Sequence, residues 1–199
     1  MIWDRARYMG DPAAVAKSLI GAVLVRKTPE DEMAVVITET EAYGGQFRGT
    51  PDDSCHAFKG RTSRTEVMFH AGGCAYVYLI YGMYCCLNLI AGPAGVPGGV
   101  LIRGGSLLRG IDRMRKNRRG AAGYALTAGP GRLCMALGID RTCNGYDLTA
   151  GKALYVEDPL QGGPAVIDVS PRIHVDYAPL SRSFPWRFTL RGSHWISKR

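Results

Sequence analysis

The stretch Tyr76–Ile90, YVYLIYGMYCCLNLI, decides the architecture. Tyr76 to Ile80 and Tyr84 to Ile90 are rich in aromatic and apolar strand formers, and Tyr81-Gly82-Met83 between them reads as a turn. Strands joined this tightly run antiparallel. Outward from the hairpin, Met33 to Tyr43 reads as a strand with Val35, Ile37, Glu39, Glu41 and Tyr43 on one face. Val100 to Arg103 is a short strand, and the last third is short strands and turns ending on Arg187 to Arg191. Ala13 to Val25 reads as a helix, with Asp11 as N-cap, Pro12 at the first helical position and a stripe of Val15, Leu19 and Ile20. Leu107 to Arg118 looks helical, with Leu108, Ile111 and Met114 or Arg115 along one side. Gly129-Pro130-Gly131 leads into a further helix, Leu133 to Leu137, stopped by Gly138. Gly44 to Arg64 is polar and Gly-rich and reads as a long functional loop. The expectation is an α+β fold: a single domain over residues 1–199, with a curved, mainly antiparallel sheet, short helices around it and a protruding β-hairpin. Regular β-α-β alternation is missing, which disfavours a doubly wound parallel sheet.

The chain has 199 residues, 46% of them hydrophobic and 21% charged, which excludes wholesale disorder. A chain of this size needs neither disulfide nor metal to bury a core. It holds 25 Lys and Arg against 17 Asp and Glu, a formal charge of +8 that favours a polyanionic partner. The excess is concentrated. Arg103, Arg109, Arg113, Arg115, Lys116, Arg118, Arg119 and Arg132 stand against Asp112 alone, and Arg172, Arg182, Arg187, Arg191, Lys198 and Arg199 against Asp176. These runs read either as solvated faces or as phosphate contacts with salt-sensitive affinity. The second reading is strengthened by Gly129-Pro130-Gly131, where free backbone N–H groups at a helix start can hold a phosphate beside Arg132.

Cys55, Cys74, Cys85, Cys86, Cys134 and Cys143 form no C-x-x-C pair, and the adjacent Cys85 and Cys86 point to opposite faces of a strand. Buried reduced thiols are the better reading than zinc, and an intracellular location is expected: cytoplasm or nucleoid in a prokaryote, nucleus in a eukaryote. Lys17 inside the first apolar stretch argues against a secretion signal, and no apolar run of about 18 residues suggests a membrane span. H-E-x-x-H and G-x-S-x-G are absent. Gly145 to Lys152 departs from a P-loop in spacing and has Ala153 where Ser or Thr is needed. A zinc deaminase signature is also absent.

Two stretches carry chemistry. In Thr38-Glu39-Thr40-Glu41-Ala42-Tyr43, two carboxylates close an otherwise apolar strand, which is costly if they are buried and unpaired. Either the strand end is exposed or the acids have a task. Glu39 and Glu41 share parity, so their charges can couple. In the hairpin, Tyr81 precedes Gly82 at the tip, beyond the reach of a core, and is a candidate wedge between base pairs. A basic surface, an aromatic wedge, aromatic walls and a carboxylate beside them describe a base-flipping enzyme.

The chain resembles the alkyladenine DNA glycosylase family, the 3-methyladenine DNA glycosylases of mammalian type. The resemblance runs from about Asp11 to Ser197 through ETEAY (Glu39–Tyr43), TSRTEVMF (Thr62–Phe69), YVYLIYGMY (Tyr76–Tyr84), LIR (Leu101–Arg103), AGPGRLC (Ala128–Cys134) and LRGSHWIS (Leu190–Ser197). It implies a metal-free, cofactor-free, monomeric enzyme that flips an alkylated or deaminated purine out of duplex DNA and hydrolyses its N-glycosidic bond. Glu41 would be the general base for water and Arg103 would help hold that water. Tyr43, His56, Tyr78 and Asn88 would form the base pocket, with a backbone carbonyl of Ile173 near Glu41. Tyr81 would intercalate, and Thr62, Met68, Gly129, Gly131 and Arg132 would contact DNA. The Gly44-to-His56 segment differs in length from mammalian members, and His174 stands where they have a smaller residue.

Two other readings stay open. A non-catalytic nucleic-acid-binding module would use the same basic surface and tyrosines. A glycoside hydrolase would use Glu39 and Glu41 as an acid pair, their Cα atoms roughly 6.5–7 Å apart along the strand.

Overall fold

In the computed structural model, which describes residues 1–160 and 165–197, the chain runs through α1 (Pro12–Ser18), β1 (Val23–Lys27), β2 (Glu32–Gly44) and two short strands, β3 (Gln46–Phe47) and β4 (Thr50–Pro51). It continues through β5 (Ala75–Ile80), β6 (Tyr84–Ile90), β7 (Gly98–Arg109), α2 (Ile111–Asn117) and α3 (Pro130–Leu137). β8 (Leu154–Glu157), β9 (Ile167–Ser170) and β10 (Arg187–Leu190) follow. Lys198 and Arg199 lie outside the described residues. The main sheet has the order β5-β6-β7-β2-β1-β8, with β10 also pairing β2 and β9 pairing β10, and the described pairings are antiparallel. The fold is α+β, a curled antiparallel sheet with short helices against it. No helix among the described residues is long and apolar enough to cross a membrane.

β2 is the spine. One edge pairs with β7 along its length; the other pairs with β1 through Glu32–Val36 and with β10 through Glu39–Glu41. The exchange of partners coincides with two opposed irregularities in the β2–β7 ladder. Ile37 faces Gly105 and Glu39 faces Gly104, so Thr38 is extra on β2. Thr40 then faces Ile102, so Arg103 is extra on β7. A bulge bends its strand and re-aims the following side chains. Here it corrects the expectation of one uninterrupted face: Val35 and Ile37 lie in the main core, but beyond the bulge the core residue is Ala42. Thr40 also turns away from the cavity and donates to the Ala16 carbonyl of α1 (2.8 Å). Glu39, Glu41 and Tyr43 are left on the opposite face.

The same division runs across the sheet. Ala75 and Val77, Leu87 and Leu89, and Val100 and Ile102 pack into the core with Leu133, Cys134 and Leu137 of α3 and Met114 of α2. The alternating residues Tyr76, Tyr78, Cys86, Asn88, Leu101 and Arg103 face a cavity. Strand alternation thus separates an apolar core face from the face that lines the cavity.

Three element readings change. The helix expected over Ala13 to Val25 ends at Ser18, because Val23–Lys27 is taken into the sheet between β2 and β8. The short strand Val100 to Arg103 is the middle of the twelve-residue β7. Leu107 and Leu108 belong to that strand rather than to a helix. They pack against different apolar clusters, and α2 begins only at Ile111. For Val23–Lys27 and for Leu107 and Leu108, pairing within the sheet outweighs local helical pattern.

Candidate active site

The residues Tyr76, Asn88, Leu101, Glu41 and Arg187 are successive cross-strand partners over five strands. With strands about 4.8 Å apart, Asn88 and Glu41 stand roughly 10 Å from each other, the scale of a flat bicyclic ring between them. A cavity of about 740 Å³ opens on this face.

Glu41 and Glu39 are both 0% exposed, so the strand end is interior. Glu41 Oε1 accepts from the Ile173 N–H (2.7 Å), and Oε2 from the Tyr43 hydroxyl (2.8 Å) and Arg103 Nη1 (3.1 Å). Those three donors line the cavity, and Glu41 sits immediately behind them. Ile173 thus presents its backbone N–H to Glu41. Burial, then the neighbouring Glu41 charge and hydrogen bond, push the Tyr43 phenol well above its ordinary range, so it remains a donor. Burial works against the Arg103 cation, but Glu41 and Glu39 outweigh it and raise its pKa.

The facing wall is aromatic. His56 Nδ1 lies 3.2 Å from the Tyr76 hydroxyl, and its ring meets Tyr78 edge to face at 4.6 Å. Burial, helped by the Arg64 charge, lowers the His56 pKa from its ordinary 6.5, so the ring is neutral at pH 7. Asn88 Nδ2 donates to the Tyr76 carbonyl (3.4 Å).

Beneath Tyr43 lies a second buried ion pair. Arg172 Nη1 and Nη2 clasp Asp52 (2.8 and 2.9 Å), and they also reach the Ala42 and Ser181 carbonyls. The guanidinium carbon stands 4.8 Å from the centre of the Tyr43 ring. Asp52 further accepts from the Gly44 N–H, the Ser54 N–H and the Ser54 hydroxyl. Burial alone would push the Asp52 carboxyl up; Arg172, with the Ser54 and Gly44 bonds, brings it below the ordinary carboxylate value. The pair ties the segment before His56 to the segment carrying Ile173.

Tyr81 is 87% exposed. Tyr81 and Gly82 have φ of 51° and 69°, and the Met83 N–H bonds the Ile80 carbonyl, a primed tight turn. A tyrosine in the left-handed region is uncommon and points to a role for the tip.

The other expected DNA contacts are dispersed. Gly129, Gly131 and Arg132 line the cavity at the start of α3. The Gly129 N–H is spent on the Arg103 carbonyl (2.8 Å), however, and Pro130 has none, so fewer free amides remain there than expected. Met68 is buried and also lines the cavity, whereas Thr62 lies outside it, bonded to Thr65. The basic runs are neutralised in part within the chain: Arg109 by Glu32 and Glu157, Arg113 by Asp31, Arg115 by Asp112 and Arg191 by Asp168. Arg118 joins Arg132 on the cavity lining. Burial and then the Arg132 charge lower its pKa. Sequence reading missed the Asp52–Arg172 pair and Ser197, and no local signal announces them, since the pair spans 120 positions.

Fold and site together define an α+β protein with an aromatic cavity backed by a buried acid–arginine cluster. The chain belongs to the methylpurine-DNA glycosylase family, whose model matches residues 6–194. It is 47% identical over 188 residues to a protein of Methanocella arvoryzae, covering 93% of this chain and 90% of that one. It is 42% identical over 203 residues to one of Clostridium perfringens (96% and 97%), and 39% over 197 residues to one of Natranaerobius thermophilus (98% and 98%). All three relatives bear a 3-methyladenine DNA glycosylase name.

Proposed function

We propose that the whole chain, acting as a monomer, is a DNA repair glycosylase that excises alkylated or deaminated purines from duplex DNA and leaves an abasic site. The observation that carries this reading is Glu41, held by three donors directly behind an aromatic cavity wide enough for a purine. The damaged nucleotide swings out of the duplex into the cavity between Tyr43 and the His56–Tyr78 wall, and Tyr81 fills the vacated stack. Asn88, across the sheet from Glu41, restricts bases with an unwanted exocyclic amine. Arg132 and the Gly129–Gly131 turn meet the backbone, with Thr62 and Met68 contributing from the neighbouring segment.

In the chemical step, water oxygen bonds to C1′ as the C1′–N bond breaks, its electron pair leaving with the base. Glu41 accepts the water proton, and Arg103 steadies both carboxylate and water. An alkylated purine already carries positive charge and departs neutral; hypoxanthine needs a proton from a donor. The transition state resembles an oxocarbenium ion. No lysine is among the described residues lining the cavity, in keeping with a monofunctional enzyme that forms no Schiff base. The glycoside-hydrolase reading loses support because Glu39 and Glu41 are joined through Arg103 and each accepts only from donors, Glu39 from Arg103, Arg187 and Ser197 and Glu41 from Tyr43, Arg103 and Ile173, so neither is placed as the proton donor an acid pair needs.

The test is single-turnover incubation with end-labelled duplexes carrying 3-methyladenine, 7-methylguanine, hypoxanthine or ethenoadenine, followed by alkali. Strand breaks at the lesion, dependent on alkali and absent with Glu41→Gln, are expected. Binding without breaks on any substrate would instead identify a non-catalytic binding module.

A further inference from the structure

Glu39 is buried as deeply as Glu41 and, like it, sits behind residues that line the cavity, here Arg103 and Ser197, but the proposed chemistry leaves it without a task. Its surroundings supply one. Oε1 accepts from Arg103 Nε (3.2 Å), Arg187 Nε (2.8 Å) and the Ser197 hydroxyl (2.9 Å), and Oε2 accepts from the Ser197 N–H (2.6 Å). The Ser197 oxygen in turn accepts from Arg103 Nη2 (3.1 Å). A hydroxyl has one donor and two acceptor sites, so Ser197 closes a ring between Glu39 and Arg103 with both functions in use. The remaining arm of Arg103, Nη1, points at Glu41.

The tail that brings Ser197 here is seated on the double bulge. The hydroxyl of Thr38, the extra residue on β2, donates to the Trp195 carbonyl (2.6 Å). Gly104, next to the extra Arg103, lets that carbonyl approach: a Cβ there would lie 2.6 Å from it. The bulge thus both aims Arg103 into the cavity face and forms the seat for residues 195–197.

We propose that Glu39 and Ser197 are positioning residues, a C-terminal clasp that fixes the Arg103 guanidinium so that its free arm holds Glu41 in the reactive orientation. This rests on the glycosylase reading. Charge balance supports it, since Arg103 and Arg187 offset Glu39 and Glu41, and a buried guanidinium stays in one geometry only when its donors are matched. Arg103 turning on loss of the Glu39 anchor moves the Glu41 carboxylate, and misplacement by about 1 Å costs on the order of a hundredfold in rate.

The experiment compares the parent with Glu39→Gln, Ser197→Ala and Ser197→Thr. Single-turnover base release is expected to fall about 10- to 100-fold in Glu39→Gln and less in Ser197→Ala, with affinity for lesion duplex close to the parent in both. Glu39→Gln, which removes the buried negative charge between Arg103 and Arg187, should also lower the melting temperature, and Ser197→Ala should leave it near the parent. Ser197→Thr, which keeps the hydroxyl, should restore the rate. Adding Glu39→Gln to Glu41→Gln should cost nothing further. The Arg103 Nε–H resonance, slowly exchanging in the parent, should exchange quickly in both weakened variants. Parental rates in Glu39→Gln and Ser197→Ala, or a rate loss matched by equal loss of binding, overturn the clasp. A parent that releases no base overturns the glycosylase reading instead, and the Arg103 resonance still decides whether the clasp holds.

Discussion

The hairpin tip and the carboxylate end of β2 are opposite solutions to placing a functional side chain. Tyr81 stands in solvent on a turn built by its immediate neighbours, its only cost a left-handed backbone. Glu41 is sealed in the sheet and held by Tyr43, Arg103 and Ile173, two of them distant by 62 and 132 positions. The tip can be replaced without touching the core. The acid cannot be altered without disturbing a network of charges. On the proposed glycosylase reading, binding and chemistry are therefore separable, the first resting on local geometry and the second on tertiary assembly.

The hardest blow to that contrast is Glu41→Gln. Single-turnover base release should drop by about 10²–10⁴-fold while affinity for lesion duplex stays within about twofold. Next in size is Asp52→Ala, which strands Arg172 in the interior. Loss of about 3–5 kcal/mol, at roughly 2–4 °C per kcal/mol for a chain of this length, should lower the melting temperature by about 6–20 °C in calorimetry.

The pH dependence of the same pair has a definite sign. The Asp52 carboxyl is depressed in the folded state, so its contribution is present above the unfolded value of about 3.9 and disappears as pH falls through the lower folded value. Urea unfolding between pH 2 and 6 should show the parent losing this stability below about pH 4, and Asp52→Asn should flatten that limb.

Tyr81→Ala comes third. Loss of one stacking contact, about 1–3 kcal/mol, should weaken base extrusion about 5- to 100-fold in a fluorescent flipped-base assay, with the melting temperature unchanged. A large fall in melting temperature would show that the tip is not independent of the fold. The smallest effect is Arg132→Ala, which should reduce the slope of log affinity against log salt by about one in binding titrations, equally for lesion and undamaged duplex.

Much of this was legible in one dimension. The Tyr76–Ile90 hairpin, the Asp11-capped start of α1 and the Gly138 stop of α3 are written in neighbouring residues, because turns and caps are formed by atoms a few positions apart. Periodicity also put Glu39, Glu41 and Tyr43 on one face. It erred only in extending that face back to Val35, since a two-fold period is blind to an inserted residue. The basic runs misled in another way: a count of charges carries no record of Glu32, Asp31 or Glu157 folding back upon them.

The order of residues along the chain determined where the turn with Tyr81 would stand and that two acids and a tyrosine would leave β2 on one side. Only the folded chain decided that those acids lie in the interior, that Arg103 is drawn in between them, and that Asp52 meets Arg172. The physical reason is distance. A turn needs partners within a few residues, whereas the buried carboxylates here draw their cations and a backbone N–H from 64 to 158 positions away, and only strand register together with the seating of the segments that carry Asp52, Arg172 and Ser197 brings them together.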